Sequence, residues 1–300
     1  MVGSAFKGKL MIYQGKETSL GREFLLSPQA EAVRKVAESL YPQYLSDCVS
    51  EGKEISPVAV PVLDDEFMMS RAARWARILA ESTFAEYVME KKKVEHTIVF
   101  FGSARIHPPG ENSSPQAEAL SHYYEECREL SFKITKWSLS KGNEEHPQPF
   151  VVTTGGGPAI MEAGNRGAHD AGGKTIGLNI ALPMEEKPNP YIPQDYNFYF
   201  HYFFTRKFHF SYRAKFLVAF PGGFGTLDEL FEILTLIQTR KINRPCGILL
   251  YGKDFWEKCV NFDHLVESGV ISAKDLDLFK IVDDVDTAFK LITPKLETYL

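Results

Sequence analysis

The stretch Phe220-Pro221-Gly222-Gly223-Phe224-Gly225-Thr226-Leu227-Asp228-Glu229-Leu230 decides how this chain is read. The apolar run Phe216 to Phe220 leads into it and predicts a buried strand. Leu227, Leu230, Phe231, Leu234 and Ile237 follow at helical spacing. Three glycines therefore sit where a strand hands over to a helix. Glycine tolerates positive φ and lets another molecule approach the backbone. The first turn of a helix adds unpaired N–H groups and the positive end of the helix dipole. Together these make a phosphate site, with Glu229 one turn in, beside whatever the phosphate is attached to. The competing reading needs no ligand: Thr226-Leu227-Asp228-Glu229 has the form of a capping box, with Thr at the N-cap and Glu at N3.

Outward from that stretch, strands and helices alternate from Val94 onward. Thr97 to Phe101 predicts a first strand, ending in Gly102-Ser103-Ala104-Arg105. One long helix is expected over Pro115 to Ser140. Phe150 to Thr154 reads as a second strand, followed by Gly155-Gly156-Gly157-Pro158 with Pro158 at the first helical position. That helix stops at Gly172-Gly173. Thr175 to Ile180 is a third strand. A proline-rich loop, Pro183 to Pro193, and an aromatic-rich helix, roughly Phe200 to Ala214, precede the opening strand. Phe200 to Phe204 is read as mostly core. Cys246 to Tyr251 is a further strand, and Trp256 to Leu300 reads as two or more helices.

This alternation predicts an α/β fold, a doubly wound parallel sheet with helices on both faces. Ligands bind such sheets at the carboxyl ends of the strands, near the switch point. Three glycine-bearing loops lie at those ends, after Phe101, Thr154 and Phe220, and can converge on one ligand. Residues 1–93 are read as a mainly helical N-terminal extension and 94–300 as the nucleotide-binding catalytic domain. Within the extension, Pro28 to Leu40 predicts a helix, Ser56 to Pro61 an extended segment and Asp65 to Lys93 one long helix. Its Arg71, Arg74 and Arg77 are read as a solvated or salt-bridged face.

Composition removes several function classes. The 300 residues are 44% apolar and 24% charged, with a net charge of −5. That balance argues against a nucleic-acid partner, whose sites sit on basic domains. Cys48, Cys127, Cys246 and Cys259 form no C-x-x-C pair, which fits reduced thiols, no metal site and a cytoplasmic location. No apolar leader opens the chain and no apolar run reaches membrane-spanning length. Ala168 to Thr175 nearly matches a phosphate-binding P-loop, but it lacks the first glycine and runs from helix into strand, the reverse of that motif. No dinucleotide fingerprint follows the first strand, and no cofactor is expected.

Three motifs together carry a family resemblance. Pro221-Gly222-Gly223-Phe224-Gly225-Thr226-Leu227-Asp228-Glu229 resembles the P-G-G-x-G-T-x-x-E motif of the LOG (Lonely Guy) family, often labelled lysine decarboxylases. Gly155 to Ala163 resembles its other glycine loop, and Arg206-Lys207 matches the R-K pair upstream. The likeness runs from about Arg71 to Val285, and the long N-terminal segment is closer to the larger bacterial members. The resemblance implies a modified Rossmann fold and hydrolysis of nucleoside 5′-monophosphates to free base and ribose 5-phosphate. It implies Arg206 and Glu229 as the catalytic pair, with Gly222, Gly223, Gly225 and Thr226 holding the phosphate. Ser103, Gly156, Gly157 and Lys207 complete the expected nucleotide-binding set. It also implies a homodimer or larger homo-oligomer.

Arginine keeps its proton in proteins, so Arg206 is expected to orient the nucleotide and offset charge. Asp228 or water would protonate the leaving base. The alternatives are a non-catalytic binder or carrier of a phosphorylated, nucleotide-like ligand, and, last, a decarboxylase. The last would need pyridoxal phosphate on a lysine that nothing singles out.

Overall fold

The computed structural model describes residues 65–182, 187–244 and 246–300. The expectations for Pro28 to Leu40, for Ser56 to Pro61 and for the first four residues of the proline-rich loop lie outside these. Two units are distinguished, one ending at Arg77 and one formed by Ile78–Leu300.

The described part of the first unit holds α1 (Asp65–Met69) and the start of α2 (Arg74–Lys91). The single helix expected over Asp65 to Lys93 is thus two helices with a break at residues 70–73. Arg77 closes that break: its guanidinium donates to the Ser70 carbonyl at 2.7 Å.

The second unit is built on seven parallel strands: β1 (His96–Phe101), β2 (Phe150–Thr154), β3 (Thr175–Ile180), β4 (Asn197–Phe200), β5 (Ala214–Ala219), β6 (Gly247–Tyr251) and β7 (Phe279–Val282). Their order is β4-β3-β2-β1-β5-β6-β7. The chain leaves β1 toward β4 on one side and returns to β5 on the other, so the switch point lies between β1 and β5. Phe100 pairs with Val218 and Phe101 with Ala219, which brings the two strand ends side by side.

Successive side chains of each strand point to opposite faces, and both faces are covered. Ile98, Phe100, Val152, Phe216 and Val218 pack on one face with Leu130, Ile160 and Ile292. Val99, Phe101, Val151, Leu217 and Ala219 pack on the other with Met89, Phe210, Leu230 and Trp256. The helices after β1 and β2 are α3 (Pro115–Glu118), α4 (His122–Ser140) and α5 (Ile160–Asp170). Those flanking β5 are α6 (Phe203–Tyr212) and α7 (Phe224–Gln238). Short α8 (Lys253–Cys259) and α9 (Phe262–Glu267) follow β6, and α10 (Val285–Glu297) closes the chain. The expected doubly wound fold is present.

Four local expectations change. The helix expected over Pro115 to Ser140 breaks at residues 119–121, and the turn seats Leu120 against the core. Pro158 does not open α5. Two residues stand between the triple glycine and the helix, and the second, Ala159, holds φ +61° and ψ −126° as its N-cap. The segment from Phe200 is a strand end before it is a helix. Of the five residues expected in the core there, only Phe200 is buried, whereas Phe203 and Phe204 are exposed. The tail contains β7, a four-residue strand too short to separate from its helices by pattern.

Candidate functional site

The three glycine loops meet, and backbone hydrogen bonds tie them. Ser103 stands at the junction. Its N–H donates to the Pro221 carbonyl (3.0 Å), and its carbonyl accepts from Ile160 N–H (3.2 Å). The loop after β1 is thereby bonded to the loops after β5 and β2. The Ser103 hydroxyl accepts from the Arg105 N–H, and Ser103 and Gly222 line one shallow recess.

The helix after β5 starts earlier than the capping box requires. Its N-cap is Gly223 and Phe224 is its first residue. Thr226 and Glu229 therefore lie inside α7 and form no capping box, which corrects that reading. No side chain among the described residues caps the first turn. The N–H groups of that turn have no partner within a helix. Gly222 packs on Thr226: a Cβ on it would fall 2.2 Å from the Thr226 hydroxyl. Gly223 and Gly225 are different, since a Cβ on either would meet no atom of the described residues within 4 Å. Nothing within the described chain demands glycine there. Open space beside unpaired N–H groups at the positive end of a helix suits an anion. Thr226 is buried, and its hydroxyl makes no hydrogen bond to another described residue.

Arg206 and Glu229 reach each other from α6 and α7. Arg206 Nη2 donates to Glu229 Oε1 at 2.6 Å, and both side chains are about nine-tenths buried. The guanidinium carbon lies 5.3 Å from the ring centres of both Phe203 and Phe210. Arg206 Nε is buried without a partner among the described residues. A Cβ on Gly155 would lie 3.9 Å from Arg206 Nη1, so the pair abuts the triple-glycine loop. Burial pushes the Glu229 carboxyl up to about 7, against the opposing pull of Arg206.

Lys207 points elsewhere. Its ammonium bridges Asp228 and Glu232 on α7, at 3.0 Å from each. Burial lowers its affinity for a proton, but those two carboxylates outweigh that and hold its pKa above the usual value. The bridge clamps α6 to α7 alongside the Arg206–Glu229 pair, and it occupies both Lys207 and Asp228.

Gly156 is also engaged internally. Its N–H donates to the Thr154 hydroxyl, and its carbonyl accepts from Asn189. It holds φ +77°, and a Cβ would fall 2.3 Å from Asn179 Oδ1. Gly156 shapes the loop and offers a ligand no backbone donor. Gly157 lies beside it, with its carbonyl bonded to Asn189.

Sequence reading missed three supporting residues. Glu81, on α2, accepts from His201 N–H (3.0 Å), Tyr202 N–H (3.3 Å) and the Thr205 hydroxyl (2.9 Å), and so caps the helix that carries Arg206. Asn165 and Asn189 hold the triple-glycine loop. Asn165 is a polar residue on the buried stripe of α5, which is a readable signal. Asn189 and Glu81 become partners only through the fold.

A family model described as possible lysine decarboxylase matches residues 161–292. A probable cytokinin riboside 5′-monophosphate phosphoribohydrolase, LOG4 of Oryza sativa subsp. japonica, is 28% identical over 169 residues, covering 54% of this chain and 70% of that protein. The cytokinin riboside 5′-monophosphate phosphoribohydrolase LOG3 of Arabidopsis thaliana is 28% identical over 215 residues, 70% of this chain and 86% of that protein. The solved molybdenum cofactor binding protein from the phototrophic bacterium Rippkaea orientalis is 20% identical with a TM-score of 0.43, over 67% of this chain and 98% of that one. No helix among the described residues is long and apolar enough to cross a membrane.

Proposed function

We propose, for a chain that resembles the LOG family in its family match and its plant relatives, hydrolysis of the N-glycosidic bond of nucleoside 5′-monophosphates to free base and ribose 5-phosphate. The observation that carries this reading is the buried Arg206–Glu229 pair set beside the open, uncapped start of α7.

In this reading the 5′-phosphate sits on the first turn of α7, against Gly223, Gly225 and the Thr226 hydroxyl. Ser103 lines a recess with Gly222, the residue before that turn's N-cap. The ribose then lies toward Glu229. Cleavage of a glycosidic bond develops positive charge on the sugar, which a nearby carboxylate stabilises. The C1′–N bond breaks and a C1′–O bond to water forms. Glu229, ionised, takes the proton of that water, and the departing base takes up another. Asp228 is engaged by Lys207, which leaves solvent as the proton source for the base. Arg206 orients the nucleotide and holds Glu229 in place.

A decarboxylase needs a lysine able to lose its proton and form a Schiff base. Lys207, the lysine nearest the pair in sequence, is held protonated by two carboxylates, which disfavours that role. The protein also associates with copies of itself in this proposal. Phe203, Phe204, Phe208 and Tyr212 on α6 and Phe224 on α7 are exposed, Phe224 to 93%. Clustered exposed aromatics mark interaction surfaces, and Phe208 and Tyr212 stack at 5.0 Å.

The deciding experiment incubates the protein with AMP, GMP, CMP, UMP and isopentenyl-AMP separately, with Glu229→Gln as control. Chromatography then looks for free base and ribose 5-phosphate. Base released by wild type alone supports the hydrolase and gives its preference. Nucleotide binding without release from any substrate overturns it in favour of a non-catalytic binder of the same ligand class.

A further inference from the structure

The chain after β3 returns over the triple-glycine loop, and one side chain makes the junction. Asn189, 6% exposed, shares the two hydrogens of Nδ2 among three oxygens: Gly156 O (3.1 Å), Gly157 O (3.0 Å) and Asn165 Oδ1 (2.9 Å). Its backbone N–H donates to Gly156 O as well, at 2.9 Å. Asn165, fully buried in α5, passes the linkage on. Its Oδ1 accepts from the Thr154 hydroxyl (2.6 Å), and its Nδ2 donates to Thr175 Oγ1 (2.8 Å) and the Ile176 carbonyl (3.2 Å). The Thr154 hydroxyl in turn accepts the Gly156 N–H (2.9 Å), and Thr175 donates to the Val152 carbonyl (2.9 Å).

Every polar atom in this chain of contacts has a partner, and the contacts run from Val152 in β2 and the first residues of β3 out to Asn189. Fully satisfied buried networks fix one arrangement. Here the arrangement holds a glycine at φ +77° in a loop beside Arg206. Left to itself, a run of three glycines samples many conformations.

We propose that Asn189 is a positioning residue. It locks the 155–157 loop to the sheet and to residues 187–193, and so sets the wall of the nucleotide pocket facing Arg206. The wall-setting role rests on the phosphoribohydrolase reading; the locking does not. Asn189 touches neither Arg206 nor Glu229 in the contacts described, so its loss loosens ground-state fit without removing the catalytic pair.

Asn189→Asp tests this, because it keeps the shape and turns a donor into an acceptor facing three oxygens. Hydrogen exchange of the 155–157 amides is expected to accelerate by about tenfold or more, with β2 and β3 amides unchanged. The nucleotide KM is expected to rise by about tenfold while kcat stays within about threefold. Asn189→Ala, which adds no charge and keeps the backbone N–H bonded to the Gly156 carbonyl, is expected to loosen the loop in the same way and covers the case in which the aspartate variant fails to fold. Unchanged exchange at 155–157 in both variants overturns the locking. Faster exchange with an unchanged KM, or a fall in kcat alone, overturns the positioning role. A wild type that neither binds nor cleaves nucleotides defeats the hydrolase reading together with the wall-setting role, and the exchange measurement still decides the locking.

Discussion

Replacing Glu229 with glutamine is expected to stabilise this protein in mild alkali while abolishing its turnover. The carboxyl is almost completely buried, and that burial raises its pKa from 4.5 to about 7 in spite of Arg206. Each pH unit of such a shift is worth about 1.4 kcal/mol, so the full displacement amounts to about 3 kcal/mol. The folded protein holds this proton more tightly than the unfolded chain does. Between pH 4.5 and about 7 the unfolded chain has released a proton that the folded protein keeps, and stability therefore falls as pH rises through that window. Below 4.5 both states are protonated and the penalty vanishes; above about 7 it is complete.

Glutamine is neutral throughout and has nearly the shape of the protonated acid. Urea unfolding of wild type and Glu229→Gln, in steps from pH 4.5 to 8.5, should give nearly equal stabilities at the acid end. Glutamine should be ahead by about 3 kcal/mol at the alkaline end. If the Arg206 attraction wins instead, the carboxylate is ionised across the whole range. The variant would then be less stable everywhere, by an amount approaching the ~3–5 kcal/mol of a broken buried pair. A constant or negative difference would thus refute the ordering of burial over ion pairing. The same displacement has a kinetic signature. A carboxylate that must be ionised to act gives kcat/KM a limb that rises with pH around 7. A falling limb there would make Glu229 a proton donor.

Further outcomes follow from the geometry. Gly222→Ala forces a Cβ to 2.2 Å from the Thr226 hydroxyl and should cost about 1–3 kcal/mol by overpacking, whereas Gly223→Ala enters open space and should leave the melting temperature nearly unchanged. Gly223→Ala should nevertheless weaken nucleotide binding by about tenfold in a titration, and unchanged affinity would move the phosphate away from α7. Ala159→Gly should raise stability by about 1 kcal/mol in chemical unfolding, because relief of up to ~3 kcal/mol of backbone strain exceeds ~0.8 for the lost methyl and up to ~1 for chain entropy. A destabilised glycine variant would mean that Ala159 is not strained. Phe208→Asp should shift the mass in light scattering toward a single chain, and a monomeric wild type would sink the self-association proposal.

The sheet was legible where short, buried apolar runs stand between turn residues, as in β1, β2, β5 and β6, and in β3 in spite of Gly177 and Asn179. The strands that pattern did not reveal are the edges. β4 (Asn197–Phe200) and β7 (Phe279–Val282) have four residues each, and two of the four in each are half-exposed or exposed. A strand covered on one side only carries a weaker apolar signal than one buried on both. Helix starts were misread for a related reason. Pro158 and Thr226 both look like helix openers by local chemistry, yet the loops around them are held by distant groups. Ile160 N–H bonds to Ser103, and Thr226 packs on Gly222.

The same distinction separates what could be read at the site from what could not. Arg206, Glu229 and the glycines of the α7 loop are visible in sequence because each is adjacent to a motif or part of one. Their mutual position depends on α6, which has no sequence relation to the loops it faces. Glu81, 120 positions before His201, caps that helix, and Glu86 binds both His209 (3.2 Å) and Arg213 (2.7 Å) near its end. Two glutamates one and a half turns apart on α2 thus set where the Arg206 guanidinium can reach. Lys207 shows the reverse case. It stands next to Arg206 in the motif, but successive helical residues point about 100° apart. One therefore enters the buried side, toward Glu229, and the other bridges Asp228 and Glu232 outside. Adjacency in the motif placed both residues on the right helix, and helical geometry then gave them different work.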